Sequence, residues 1–344
     1  MITNNLKKRF CRDMSLNIQI YEEPYFTERL DLFGYRDKWN NLLELVNNKF
    51  NGNEELFFEE YNTVKDKVIN YIQESQAFKE LNKESMDKYK VDSNITSNDV
   101  YKSGNIGKYF ISIDMVKANF SSIVRYANKY NYQFNSDDTA IYNYEKFMRR
   151  FTDIEYFISS KYIRQVIFGA CNPKRQVTYQ KYIMSIILDT LLACDVANIS
   201  KENILSLSND EIVIDVTNNK SEDIEELKKL LSILGFGIPL HFEYFKLGKV
   251  INSDAYIKEI SCTKLYMETN SYNSEEEMRK NLEESSSNDI KYVIKKANPI
   301  DTVFIQRLLH NQEVTENDLV FSHEGKLAKL IEKPDVQISF EGEK

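Results

Sequence analysis

Two apolar runs, Ile204–Leu207 and Ile212–Val216, flank the four residues Ser208-Asn209-Asp210-Glu211. Short polar residues that turn easily, placed between two strand-forming runs, predict an antiparallel hairpin. The residues downstream of the hairpin fit the same plan. Ser221-Glu222-Asp223 opens a helix with a capping residue and first-turn acids, Ile224, Leu227, Leu230, Leu231 and Leu234 share one face, and Gly235 fits the stop. Further strands are expected at Ile238–Phe245 and Ala255–Ile260. Upstream, Tyr109, Phe110, Ile111 and Ile113 read as a short buried strand that ends at Asp114, with a helix through Ala118–Asn128. A long helix is expected over Tyr142–Phe168, a break at Gly169–Pro173, and another helix over Tyr179–Leu192. Strand, helices, hairpin, helix, strand is a βαββαβ-like order, so the expected class is α/β (α+β), an antiparallel sheet with helices on one face.

The rest of the chain divides around this core. Residues 1–100 read as a mainly helical N-terminal region, with Trp39, Leu42, Leu43 and Val46, and later Phe57, Phe58, Tyr61, Val64, Val68 and Tyr71, at helical spacing. Two short strand-like pieces, Asn17–Tyr21 and Leu30–Phe33, flank Pro24. The polar run Val91–Asp99 is the expected boundary. Residues 101–266 form the central domain with a helical insert at 142–192, and 267–344 an acidic loop and C-terminal extension. Ser274 and Glu277 suit a capping box in that loop, Val303–His310 suits a helix, and Asp335–Phe340 a strand.

Charge narrows the function. A net charge of −8 argues against coating nucleic acid by bulk electrostatics. Yet residues 146–181 hold eight cations (Lys146, Arg149, Arg150, Lys161, Arg164, Lys174, Arg175, Lys181) against Asp153 and Glu155, a local +6. Cys11, Cys171, Cys194 and Cys262 lack zinc-site spacing and fit reduced, buried thiols. The absence of a signal peptide or a membrane-length apolar run predicts a soluble, cytoplasmic protein. No GxxxxGK[ST], GxGxxG or GxSxG pattern is present.

Asp114-x-x-x-Ala118-x-Phe120-Ser121 resembles the first metal-binding motif of reverse transcriptases and related palm polymerases. Ser208-Asn209-Asp210-Glu211 with its following apolar strand is similar to that family's Tyr-x-Asp-Asp turn. The resemblance runs in order from about residue 105 to about 260. It implies a palm-like, ferredoxin-like sheet and template-directed nucleotidyl transfer, by an RNA or DNA polymerase, with Mg²⁺ or Mn²⁺ held by Asp114 and Asp210 and assisted by Glu211. The implied partners are a primer–template and nucleoside triphosphates. Phe120 would lie at the substrate, and Arg164, Lys174 and Arg175 would meet phosphate. Asn119 stands where DNA-making members carry a bulky aromatic, which implies room for a ribose 2′-hydroxyl. The chain departs from the pattern at Glu211 and Ser208, and Asn172-Pro173-Lys174-Arg175-Gln176 replaces a Pro-Gln-Gly loop. The stretch from Arg9 to Phe26 resembles tailed-phage proteins of low-GC hosts, implying action in a host cytoplasm. The alternative reading is a non-catalytic, phage-encoded protein that binds nucleic acid or a protein partner through a decayed palm. A purely structural protein without a palm is the third.

Overall fold

The computed structural model describes residues 3–91, 99–134, 143–194, 198–234, 237–266 and 289–342. The N-terminal region is helical: α1 (Asn4–Asp13), α2 (Tyr25–Leu32), α3 (Arg36–Phe50), α4 (Glu54–Glu74) and α5 (Gln76–Lys83). Side chains of Thr3, Asn53 and Ser75 accept first-turn amides of α1, α4 and α5, which fixes where those helices start. Trp39, Leu42 and Val46 of α3 and Phe57, Tyr61, Val64 and Val68 of α4 are buried as their spacing predicts. The two expected strand pieces are absent. Residues 17–21 are irregular, and Leu30 and Leu32 lie in α2, where both turn inward. The run Tyr25-Phe-Thr-Glu-Arg-Leu is long enough for helical packing to override a short apolar alternation.

The central region carries β1 (Tyr109–Met115), α6 (Ala118–Tyr130), α7 (Tyr144–Met148), α8 (Glu155–Ser159), α9 (Lys161–Gly169) and α10 (Pro173–Ala193). The single helix expected over Tyr142–Phe168 is thus three short ones. The Thr152 hydroxyl accepts the Ile154 amide in the turn ahead of α8, and the Ser160 hydroxyl caps α9 by accepting the Ile163 amide. Phe147, Phe157, Ile158 and Phe168 still point inward, and this preserved the helical period in the sequence. The hairpin is β2 (Ile204–Leu207) and β3 (Glu211–Asp215), followed by α11 (Ser221–Leu234). Asp223, and not Ser221, closes the start of α11 by accepting the Lys220 amide at 2.8 Å.

Two long strands, β4 (Leu240–Ile251) and β5 (Tyr256–Tyr266), come next. The C-terminal part holds β6 (Lys291–Lys295), α12 (Pro299–Leu309), the pair β7 (Val320–His323) and β8 (Lys326–Lys329), and β9 (Gln337–Ser339). The main sheet has seven strands in the order β2-β3-β1-β4-β5-β6, with β9 paired to β4, and every pairing is antiparallel. The region after 266 therefore supplies two strands to the sheet. The molecule is a mixed α/β protein, a helical N-terminal region with an antiparallel sheet. One continuous core runs from Leu6 to Tyr266 and joins the N-terminal helices to the sheet face that carries Ile111, Ile113 and Met115. Most of the Val91–Asp99 run, the 267–288 segment with Ser274 and Glu277, and Gly235 lie outside the described residues.

Candidate cation-binding site at the β1 end and the β2–β3 turn

Strand residues alternate in direction, so Asp114 shares its face with Phe110 and Ser112, opposite the face packed on the helices. Phe110 and Val213 there form a small second core with Phe245, Leu247, Tyr256 and Ile260. At the other end of β1 the surface turns polar. Asp114 sits directly across from Glu211 of β3 on one side and His241 of β4 on the other. The turn is locked to this end of β1, since the Met115 amide donates to the Asp210 carbonyl at 2.7 Å. The Ser208 hydroxyl accepts the Glu211 amide at 3.1 Å, so Ser208 is a turn-closing residue.

The acids are held differently. Ser112 donates its hydroxyl to Glu211 Oε1 at 2.5 Å. Glu243, across from Ser112 on β4, forms an ion pair with the buried Lys258. The half-buried Asp114 carboxyl forms no hydrogen bond or ion pair among the described residues. Burial, then repulsion from Asp210, Glu211 and Glu243, raises it to about 7, with Lys258 pulling the other way. Burial holds His241 below its usual range, so it is neutral near pH 7. Among the described residues no three His, Cys, Asp or Glu side chains converge into a ready-made metal cage. The donor set fits Mg²⁺, which is commonly held by one or two carboxylates completed by substrate phosphate and water.

The remaining predicted residues separate. Asn119, in the first turn of α6, is half-buried, and its Oδ1 accepts Gln180 Nε2 of α10 at 2.8 Å. Phe120 corrects the sequence reading. Its ring is fully buried, with neighbours Phe134, Tyr144, Phe147 and Phe168, so it is a core side chain that cannot touch a substrate. Arg175 is held at the end of α5, where its Nη1 donates to the Leu81 and Glu84 carbonyls at 3.0 and 2.6 Å. Lys174 is exposed in the first turn of α10. Arg164 lies over the Tyr144 ring at 5.5 Å, half-buried.

Sequence reasoning missed Lys117. It takes the left-handed conformation (φ 48°) between β1 and α6, and its ammonium pairs with Glu145 near Arg164. Glu243 and Lys258 were missed too, because only strand register brings them beside Asp114. Cys11, Cys171 and Cys262 are buried as expected, but Cys194 is exposed. No helix of the described residues is long and apolar enough to cross a membrane. No family model, no curated protein and no solved structure matches the chain.

Proposed function

We propose that Asp114, Asp210 and Glu211 form the cation-binding centre of a template-directed nucleotidyl-transfer enzyme of the palm-polymerase type. The observation that carries this reading is the unpaired Asp114 carboxyl, half-buried beside a second acidic element and raised to about 7. Such an arrangement is costly in the free protein, and a divalent cation offsets that cost by converting mutual repulsion into shared attraction. The order β2-β3-β1-β4, with helices between β1 and β2 and between β3 and β4, is compatible with a palm-like sheet and supports the same reading.

A bound Mg²⁺ or Mn²⁺ would supply charge neutralisation at the phosphates and activation of a hydroxyl nucleophile. Asp114 and Asp210 would hold it. Glu211, fixed by Ser112, would keep the field negative and the turn in register. Arg164, exposed Lys174 and the guanidinium donors of Arg175 beyond its Nη1 are the cations that would meet phosphate. Asn119, oriented by Gln180, would sit at the sugar with a small polar side chain that leaves room for a 2′-hydroxyl.

Extension of a labelled primer on RNA and DNA templates, with Mg²⁺ or Mn²⁺, tests the proposal. Wild-type extension that falls at least 100-fold in Asp114→Asn and Asp210→Asn would support it. Absence of extension by folded wild type with every template and nucleotide pairing would reject it. The non-catalytic reading gains from one feature, the Lys258–Glu243 pair, which places a buried cation two strands from Asp114.

A further inference from the structure

The face of α6 that begins at Asn119 ends in tyrosines. Tyr126 and Tyr130 lie two and three turns further along. Asn131 then takes the left-handed conformation (φ 54°) and ends the helix, and the Tyr132 amide reaches back to the Ala127 carbonyl at 2.9 Å. This reversal stacks Tyr132 on Tyr130, centroids 5.8 Å apart and planes 27° apart. Neighbouring α10 contributes a second near-parallel pair, Tyr179 and Tyr182, at 6.2 Å and 24°. Tyr89, from a 3-10 turn at Met86–Tyr89, brings its hydroxyl to within 3.2 Å of that of Tyr130.

These rings divide into two sets. Tyr89, Tyr126 and Tyr179 are buried and complete the packing between helices. Tyr130, Tyr132 and Tyr182 form the more exposed set, half-buried against the core. Over the exposed set lie ammonium groups: Lys129 is 5.2 Å from the Tyr130 centroid and 5.8 Å from that of Tyr182, and Lys88 is 5.5 Å from Tyr130. Lys88 shares its charge with Glu84, so Lys129 contributes more of the local positive field.

We propose that this lysine-flanked tyrosine face binds single-stranded nucleic acid. Tyrosines that keep part of the ring accessible stack bases without regard to sequence, and ammonium groups beside them meet the backbone phosphates. A protein partner would favour an apolar face without cations poised over the rings, and duplex would hide its base faces from the tyrosines. The patch lies about 20 Å along α6 from the start of that helix, at 1.5 Å per residue, on the helix side of the sheet. None of these rings or ammonium groups belongs to the acidic site, and the two claims can fail separately.

Fluorescence anisotropy of short labelled RNA and DNA single strands against the full chain, with divalent cations chelated and no nucleotide, tests it. Tyr130→Ala with Tyr132→Ala should weaken binding by about 5- to 100-fold. Lys129→Ala should weaken it a few-fold and lower the salt dependence by roughly one phosphate contact. Tyr130→Phe keeps the ring and removes only the hydroxyl contact with Tyr89, so it should bind as wild type; a loss there would mean that structure and not stacking had been disturbed, and would overturn the proposal. Unchanged affinity in the folded double variant, equal affinity for duplex, or no single-strand binding by wild type would overturn it as well. Primer extension reads the acids and chelated binding reads this face, which keeps the two failures distinguishable.

Discussion

At the scale of single residues, Asp114 is the side chain whose environment most needs a partner. A carboxyl moved from 3.8 to about 7 corresponds to roughly 4 kcal/mol between its charge states, an upper bound for a half-buried group. The sign comes from the protons bound. Between these values the folded protein holds a proton on Asp114 that the unfolded chain has released, so stability declines as pH rises from about 4 to about 7. Asp114→Asn should flatten this part of a thermal-denaturation pH profile, and Mg²⁺ should raise the wild-type midpoint near pH 7 more than the variant's. A profile identical in both proteins would contradict the assigned environment. Phe120 makes the opposite case. Its place in the motif suggested a substrate contact, yet its ring fills the aromatic core. Phe120→Ala should therefore cost about 3–5 kcal/mol in chemical denaturation. A destabilisation under about 1 kcal/mol would argue against that burial.

Elements carry the residues into register, and one glycine shows how closely. A Cβ added to Gly248 on β4 would stand 2.6 Å from the ring of Phe340, just after β9. Gly248→Ala should cost about 1–3 kcal/mol or detach β9, seen as faster amide exchange at 337–339. Unchanged exchange and stability would contradict the packing of the tail on the sheet. The elements legible in sequence were those set by local signals. The Ser208–Glu211 turn, β1 with its apolar run, and α11 with its leucine stripe all fell close to their expected bounds, whereas α10 starts at Pro173, inside the expected break and ahead of the expected Tyr179. Others were hidden because several physical causes compete. A turn closed by Thr152 and a cap supplied by Ser160 interrupt the periodic stretch that holds three helices, and α2 absorbed a short apolar run. The site was half legible. Asp114 and the turn acids announce themselves by position at strand ends, whereas Glu243, Lys258 and Lys117 depend on register and backbone conformation that no spacing reports.

For the molecule as a whole, the ends of the chain are tied together through a buried ion pair. Arg29 of α2 donates to Asp318 at 2.6 Å, and Arg307 of α12 donates to the same carboxyl at 3.0 Å. Arg29 and Asp318 are almost wholly enclosed, so Arg29→Met strands part of a buried charge and should cost about 3–5 kcal/mol in urea unfolding. A neutral result would show that the pair is not buried in solution. This frame, one core from Leu6 to Tyr266 with C-terminal strands added to the sheet, holds Asp114 and the β2–β3 turn at one end of the same surface. The proposed chemistry stands or falls on one cation sitting between them. Fe²⁺ in place of Mg²⁺, with ascorbate and peroxide, generates hydroxyl radicals that cut the backbone only beside the bound ion. Cleavage near residues 114 and 210, suppressed by excess Mg²⁺ and lost in Asp210→Asn, is the predicted result. Cleavage elsewhere, or none at these two positions, would contradict the site.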